Sequence, residues 1–156
     1  FAKKLSGFNV EILCNDIVKN KGDKYSKQVS LDLIKSNCDV ISLHTDLNKS
    51  SRHLINKSFI YDCEKSFYLI NTSRGQCVKN SDLVDGIKSR KILGACLDVI
   101  ENESSSFENL KDDVNLDFLK KSDKVILTPH IAGWTLESKM KLSETVLEKI
   151  KYLFNK

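Results

Sequence analysis

The 156-residue sequence has no apolar run near the ~20 residues that a membrane-spanning helix requires, and no signal-peptide pattern opens it, so no membrane role is expected. It has no C-x-x-C pair, and its five cysteines (Cys14, Cys38, Cys63, Cys77, Cys96) are an odd number; a zinc site or a disulfide framework therefore has no support. Cys14 and Cys96 lie inside apolar strand-like runs and Cys38 just before one, so buried thiols in a reducing, cytoplasmic compartment are expected. No basic run gathers the formal charge of +4; lysines alternate with acids along the chain, and nucleic acid is not implied. Internal repeats are absent, and the only low-complexity stretch is the serine run at 104–106. What remains is a chain of ordinary globular composition, long enough for one domain with a real core.

The organising stretch is 68–103, YLINTSRGQCVKNSDLVDGIKSRKILGACLDVIENE. Tyr68, Leu69 and Ile70 form an apolar run stopped by Asn71, Thr72, Ser73, Arg74 and Gly75. Ser81 is placed to cap a helix with Leu83, Val84 and Ile87 on one face, and 94–99 is again short and apolar. Strand, helix and strand at this length predict a parallel βαβ unit. Ligands of open α/β sheets sit outside the carboxyl ends of the strands, where Arg74 and Glu103 both fall.

Around this unit the chain predicts further elements. A strand over 10–14 (VEILC) ends near Asp16, and an acid there is either the ribose ligand of a dinucleotide fold or a turn residue before the polar loop that follows. A short helix over 31–36 precedes a strand over 39–43 that ends in His44 and Thr45. A histidine at a strand end is more often a hydrogen-bonded loop residue than a catalyst, so His44 is expected at most to line a cleft; His53, among polar neighbours, is expected at the surface. A helix over 56–64, a strand over 67–71, a polar loop over 104–123 anchored by Phe107 and Leu110 with a short helix near 116–120, and a strand over 124–127 follow. Pro129 fixes the backbone before His130, which stands at the carboxyl end of that last strand. Trp134 packs a cleft wall, a subunit contact or the core, and Thr135 caps a final helix whose apolar positions Leu136, Met140, Leu147, Ile150 and Phe154 share a face.

Three motifs in this order, NTSRG, GACLDVIENE and TPHIAGWT, resemble the D-isomer-specific 2-hydroxyacid dehydrogenases, which include 3-phosphoglycerate, D-lactate, glycerate and formate dehydrogenases and corepressors of the C-terminal-binding type. The resemblance runs over nearly the whole chain. It implies an α/β, Rossmann-type doubly wound parallel sheet of about five strands. Residues 1–134 would form the NAD-binding domain, and 135–156 a helix returning toward a substrate domain. The opening Phe1-Ala-Lys-Lys-Leu-Ser-Gly7 reads as a helix end, and no G-x-G-x-x-G occurs, so a fragment without its first strand and Gly-rich loop is expected.

The resemblance further implies catalytic roles for Arg74 (substrate carboxylate and 2-oxo oxygen), His130 (acid/base) and Glu103 (support of the imidazole). Asp16, His44, Thr72, Asp98, His130 and Gly133 would bind the cofactor. Asp16 favours NAD over NADP, and Asp98 would meet the nicotinamide carboxamide, although a cap of the following turn is an equal reading of that residue. Asp46 and Ser104 stand where the family usually has proline, and Glu103 argues against formate as substrate. A small 2-hydroxy or 2-oxo acid is the implied partner, 3-phosphoglycerate the first named candidate, and a homodimer the implied assembly. Two other readings stay open: an NAD-sensing corepressor-like binding protein, and an inactive fragment that binds NAD poorly without the phosphate loop.

Overall fold

The computed structural model describes residues 1–101, 103 and 113–154. Its elements in chain order are α1 (Ala2–Leu5), β1 (Leu13–Cys14), β2 (Lys27–Gln28), α2 (Leu31–Asn37), β3 (Val40–Leu43), α3 (Lys57–Asp62), β4 (Phe67–Asn71), a 3-10 turn (Gly75–Cys77), α4 (Asn80–Lys88), β5 (Ile92–Leu97), α5 (Val114–Lys121), β6 (Val125–Leu127) and α6 (Leu136–Phe154). Four strands make one parallel sheet in the order β3-β4-β5-β6, so chain order is spatial order and every carboxyl end lies on one edge. The expected αβ alternation and parallel sheet are therefore present. The anchors Phe107 and Leu110 expected for the long polar loop lie outside the described residues.

The expected strand over 10–14 is only partly formed. Leu13 and Cys14 pair in parallel with Lys27 and Gln28 in a separate two-stranded sheet, while Val10 is exposed. A strand exists only where a neighbour takes up its backbone groups, and here that neighbour comes from the polar stretch expected to be loop. Gln28 organises the intervening turn by donating to the carbonyls of Asp16 (3.3 Å) and Val18 (2.8 Å) and accepting from Lys21 N–H (2.7 Å).

Side chains alternate across the sheet as the pleat requires. Ile41, Leu43, Phe67, Leu69, Ala95 and Leu97 point to one face and pack with Ile34, Phe59, Ile60, Leu83, Val84, Ile87, Leu116 and Leu119 from α2 to α5. The opposite face carries Val40, Tyr68 and Ile126 at 53%, 51% and 63% exposure, so the described residues supply one helical layer of the doubly wound arrangement. Cys96 belongs to that bare face and is exposed, whereas Cys63 and Cys77 are buried; an apolar run around a thiol does not reveal which face it takes.

Helix starts follow the expected chemistry at Ser30, Asn56 and Asp113, whose side chains accept first-turn N–H groups. Thr135 and Ser138 cap α6 reciprocally, with Ser138 N–H donating to Thr135 Oγ1 (3.1 Å) and Thr135 N–H to Ser138 Oγ (3.3 Å). At α4 the expectation fails: Lys79 holds the cap position without a side-chain bond to a first-turn N–H, and the Ser81 hydroxyl donates to Asp82 instead. No residue of α6 is buried, and among the described residues no helix is long and apolar enough to cross a membrane.

Candidate active site

The carboxyl edge of β4 is shaped by Asn71, which is fully buried. Its Oδ1 accepts from the N–H (3.1 Å) and hydroxyl (2.9 Å) of Ser73, and its Nδ2 donates to the Arg74 carbonyl (3.0 Å). This closed turn leaves Thr72 and Arg74 exposed, with the guanidinium donating from Nη1 to the Ser73 carbonyl (2.7 Å). In the sequence Asn71 reads only as a strand stop, yet it fixes how Arg74 is offered.

Gly75 has a different purpose from the one its torsional freedom suggests. No glycine here takes a positive φ. A Cβ on Gly75 would instead fall 1.9 Å from the carbonyl oxygen of Ile100, so the missing side chain lets the Arg74 turn lie directly on the loop that carries Glu103.

On β5 and β6 the pivotal residue is Asp98, 3% exposed. Its Oδ1 accepts from the Thr128 hydroxyl (2.6 Å) and Ile131 N–H (2.9 Å), and its Oδ2 accepts from Ala132 N–H (2.9 Å). The His130 N–H is shared between the carbonyls of Asp98 (2.9 Å) and Thr128 (3.0 Å), and His130 sits at φ 55°, a region few side chains enter. Asp98 thus holds the 128–132 loop in the shape that leaves the imidazole half-exposed; it caps this distant loop and not the turn directly following it, the alternative role expected for it. Burial alone would push its carboxyl up; the bonds from Thr128, Ala132 and Ile131, with His130 nearby, outweigh this and hold it below the ordinary carboxylate range.

An Asp98→Asn substitution therefore sets an amide N–H2 against backbone N–H donors. The expected cost is on the order of 1–3 kcal/mol at neutral pH. Because the folded carboxyl titrates below its unfolded value, its stabilisation is present above the unfolded pKa and lost as pH falls through the folded one. Urea unfolding between pH 3 and 7 should show lower stability and a shallower acid loss in the variant; equal curves would remove Asp98 as the clamp.

His130 Nδ1 and Glu103 Oε1 are hydrogen-bonded, the Glu103 side chain 12% exposed and that of His130 45% exposed. With Nδ1 held by the carboxylate, Nε2 has no hydrogen-bond partner among the described residues. A half-exposed imidazole oriented by a nearly buried carboxylate is an acid/base arrangement. Arg74 follows β4 on the same edge, one strand from β5, which leads to Glu103, and two from β6, which leads to His130.

The remaining candidates are less gathered. His44 Nε2 lies 2.9 Å from the Ser42 hydroxyl and its ring 5.0 Å from that of Phe1; burial chiefly pushes its pKa down. Asp16 is exposed at the end of β1, its Oδ1 accepting from Val18 N–H (2.7 Å) in a local turn. Gly133 has nothing within 4 Å of where a Cβ would be, and Trp134 is 74% exposed, which removes the core role. His53, expected at the surface, is half-buried and pairs with Glu101 (2.6 Å). Nothing in the sequence marks Glu101 or Gln28 as structural partners of this edge, and only its position beside Pro129-His130 signals Thr128.

Residues 1–132 match the family model described as D-isomer specific 2-hydroxyacid dehydrogenase, NAD binding domain. The chain is 36% identical over 148 residues to a glyoxylate reductase of Thermofilum pendens, covering 92% of this chain and 41% of that protein. It is 34% identical over 149 residues to a D-lactate dehydrogenase of Staphylococcus aureus, covering 92% and 45%. Among solved structures, the NAD-complexed D-isomer specific 2-hydroxyacid dehydrogenase of Lactobacillus delbrueckii superposes with a TM-score of 0.86 at 27% identity, covering 99% of this chain and 49% of that one. The chain thus spans less than half the length of these relatives, between 41% and 49%. It belongs to the D-isomer specific 2-hydroxyacid dehydrogenase family and corresponds to that family's NAD binding domain.

Proposed function

We propose that this chain carries the redox site of an NAD-dependent dehydrogenase that interconverts a D-2-hydroxy acid and its 2-oxo acid. The observation that carries the reading is the His130–Glu103 pair on the same sheet edge as the exposed Arg74. Residues 1–134 are taken as the NAD-binding domain and 135–156 as a helix leaving it, in keeping with an α6 that buries none of its residues.

The carboxyl edge fits a dinucleotide: Thr72, Arg74 and His130 are exposed there, Gly133 has open space around it, and Asp16 offers a solvent-facing carboxylate at the end of β1. Asp16 would take the adenosine ribose, and His44, Thr72, Asp98, His130 and Gly133 would border the rest of the cofactor. Bound NADH would supply the hydride. Arg74 would grip the substrate carboxylate through parallel charged hydrogen bonds and polarise the 2-oxo oxygen. His130 would deliver a proton from Nε2 to that oxygen during reduction, while Glu103 holds Nδ1 and thereby the ring orientation. In oxidation the same nitrogen would take the hydroxyl proton back.

A homodimer in a reducing, cytoplasmic compartment is the proposed setting; the five cysteines form no disulfide, and both α6 and the bare sheet face carry apolar side chains for association. The substrate is a small 2-oxo acid, with 3-phosphohydroxypyruvate one candidate. NADH consumption by the full-length protein is the test, run with pyruvate, glyoxylate, hydroxypyruvate, phenylpyruvate and 3-phosphohydroxypyruvate. At least one should be reduced, and Arg74→Gln should lower kcat/KM for it by roughly a hundredfold or more through loss of two charged hydrogen bonds. NADH binding without turnover on any acid would replace this reading with that of a cofactor sensor.

A further inference from the structure

A second histidine–carboxylate pair is formed by His53 and Glu101. Glu101 Oε1 is 2.6 Å from His53 Nε2, with the two side chains 22% and 37% exposed. Its Oε2 accepts the N–H of Asn80, the first residue of α4, at 2.8 Å. That N–H is one of the donors every helix start leaves unmet, and α4 has no local side-chain cap; Glu101 caps it from a distant loop. Asn80 is itself 3% exposed and has an Nδ2 without a partner among the described residues, so losing Glu101 would leave it with a second unmet donor.

His53 is held for this contact from every side of its backbone. It sits at φ 51°, its N–H donates to the Gln76 carbonyl (2.8 Å), and its carbonyl accepts from Asn56 Nδ2 (2.9 Å), the residue that caps α3. Two residues on, Ile55 pairs with the segment around Val78 in a parallel bridge, its N–H donating to the Cys77 carbonyl (3.0 Å) and its carbonyl accepting from Lys79 N–H (3.0 Å). His53 therefore moves with the 3-10 turn that follows Arg74, and Glu101 is two residues from Glu103.

We propose that His53 and Glu101 form a positioning pair for the reaction, a brace that fixes the separation between the Arg74 turn and the loop presenting Glu103 to His130. The proposal rests on the function read above for Arg74, Glu103 and His130. Neither member of the pair touches substrate; the pair sets where Glu103 stands, and a displacement near 1 Å costs a positioned site up to a hundredfold in rate.

The test uses the full-length protein with His53→Gly, Glu101→Ala, the double variant and His53→Gln. Glycine keeps the backbone conformation at position 53 free of strain while deleting the imidazole, and the glutamine side-chain amide can restore a donor to Glu101. The deciding readout is the proton NMR resonance of His130 Nδ1–H, which reports its bond to Glu103. It should shift or broaden in His53→Gly and Glu101→Ala, move no further in the double variant, and return in His53→Gln. With an accepted 2-oxo acid, kcat/KM should fall roughly tenfold in the same variants with NADH affinity within twofold of wild type. An unmoved resonance, or wild-type rates, in folded single variants would overturn the brace. Failure of the wild-type protein to turn over any acid would remove the functional reading alone, because the resonance still decides the brace.

Discussion

On the proposed acid/base role, replacing His130 by asparagine should lower kcat/KM for any 2-oxo acid that the full-length protein reduces by roughly a thousandfold, while NADH affinity changes only a few-fold. The magnitude is what a positioned acid/base contributes, about 10²–10⁴. Asparagine is the informative substitution because His130 stands at φ 55°, and asparagine enters that left-handed region more readily than other non-glycine residues. The N–H of residue 130 keeps its bonds to the Asp98 and Thr128 carbonyls, and the new amide can still donate toward Glu103. The shape should be retained while the proposed proton transfer is lost. Steady-state rates beside a fluorescence titration of NADH separate the two; a variant keeping more than a tenth of wild-type kcat/KM would place the proton donor on another residue.

Most of this edge could be read without coordinates, for a physical reason. Parallel strands need crossovers, so the switch from apolar runs to helical periodicity and back between Tyr68 and Leu97 already fixes which ends of β4 and β5 coincide. The residues just past those ends must then share an edge. β4 was legible to the residue, because Asn71 through Gly75 stop the apolar run at once, and Thr135 was legible as a cap because its partner Ser138 is local in sequence.

What escaped depends on partners distant in the chain. Nothing near Asn80 shows that its N–H is met by Glu101, 21 positions away. Nothing near Leu13 shows that Lys27 is its strand neighbour. Of two acids so close together, Glu101 and Glu103, sequence spacing alone does not reveal that one faces His53 and the other His130. Asp98 reads two ways in the sequence because its three donors come from a loop 30 or more residues on, at Thr128, Ile131 and Ala132.

Gly75→Ala is the substitution expected to damage the fold most, and its mechanism is contact rather than torsion. The added Cβ would lie 1.9 Å from the oxygen, 2.1 Å from the carbon and 2.8 Å from the nitrogen of Ile100, all backbone atoms in a buried loop. No side-chain rotation relieves such a clash; either the Arg74 turn or the loop carrying Glu101 and Glu103 must move. Overpacking of this kind costs about 3 kcal/mol or more, which for a chain of this size corresponds to a fall in Tm near 10 °C. Because the displaced segments carry Arg74 on one side and Glu103 on the other, turnover should fall together with stability, even at temperatures where the variant stays folded. Gly133→Ala is the control for stability, since nothing lies within 4 Å of its Cβ position; its Tm should stay within about 2 °C of wild type. A Gly75→Ala protein that melts with the wild type would mean that the two loops do not meet as closely in solution, and the coupling drawn between Arg74 and Glu103 would fall with it.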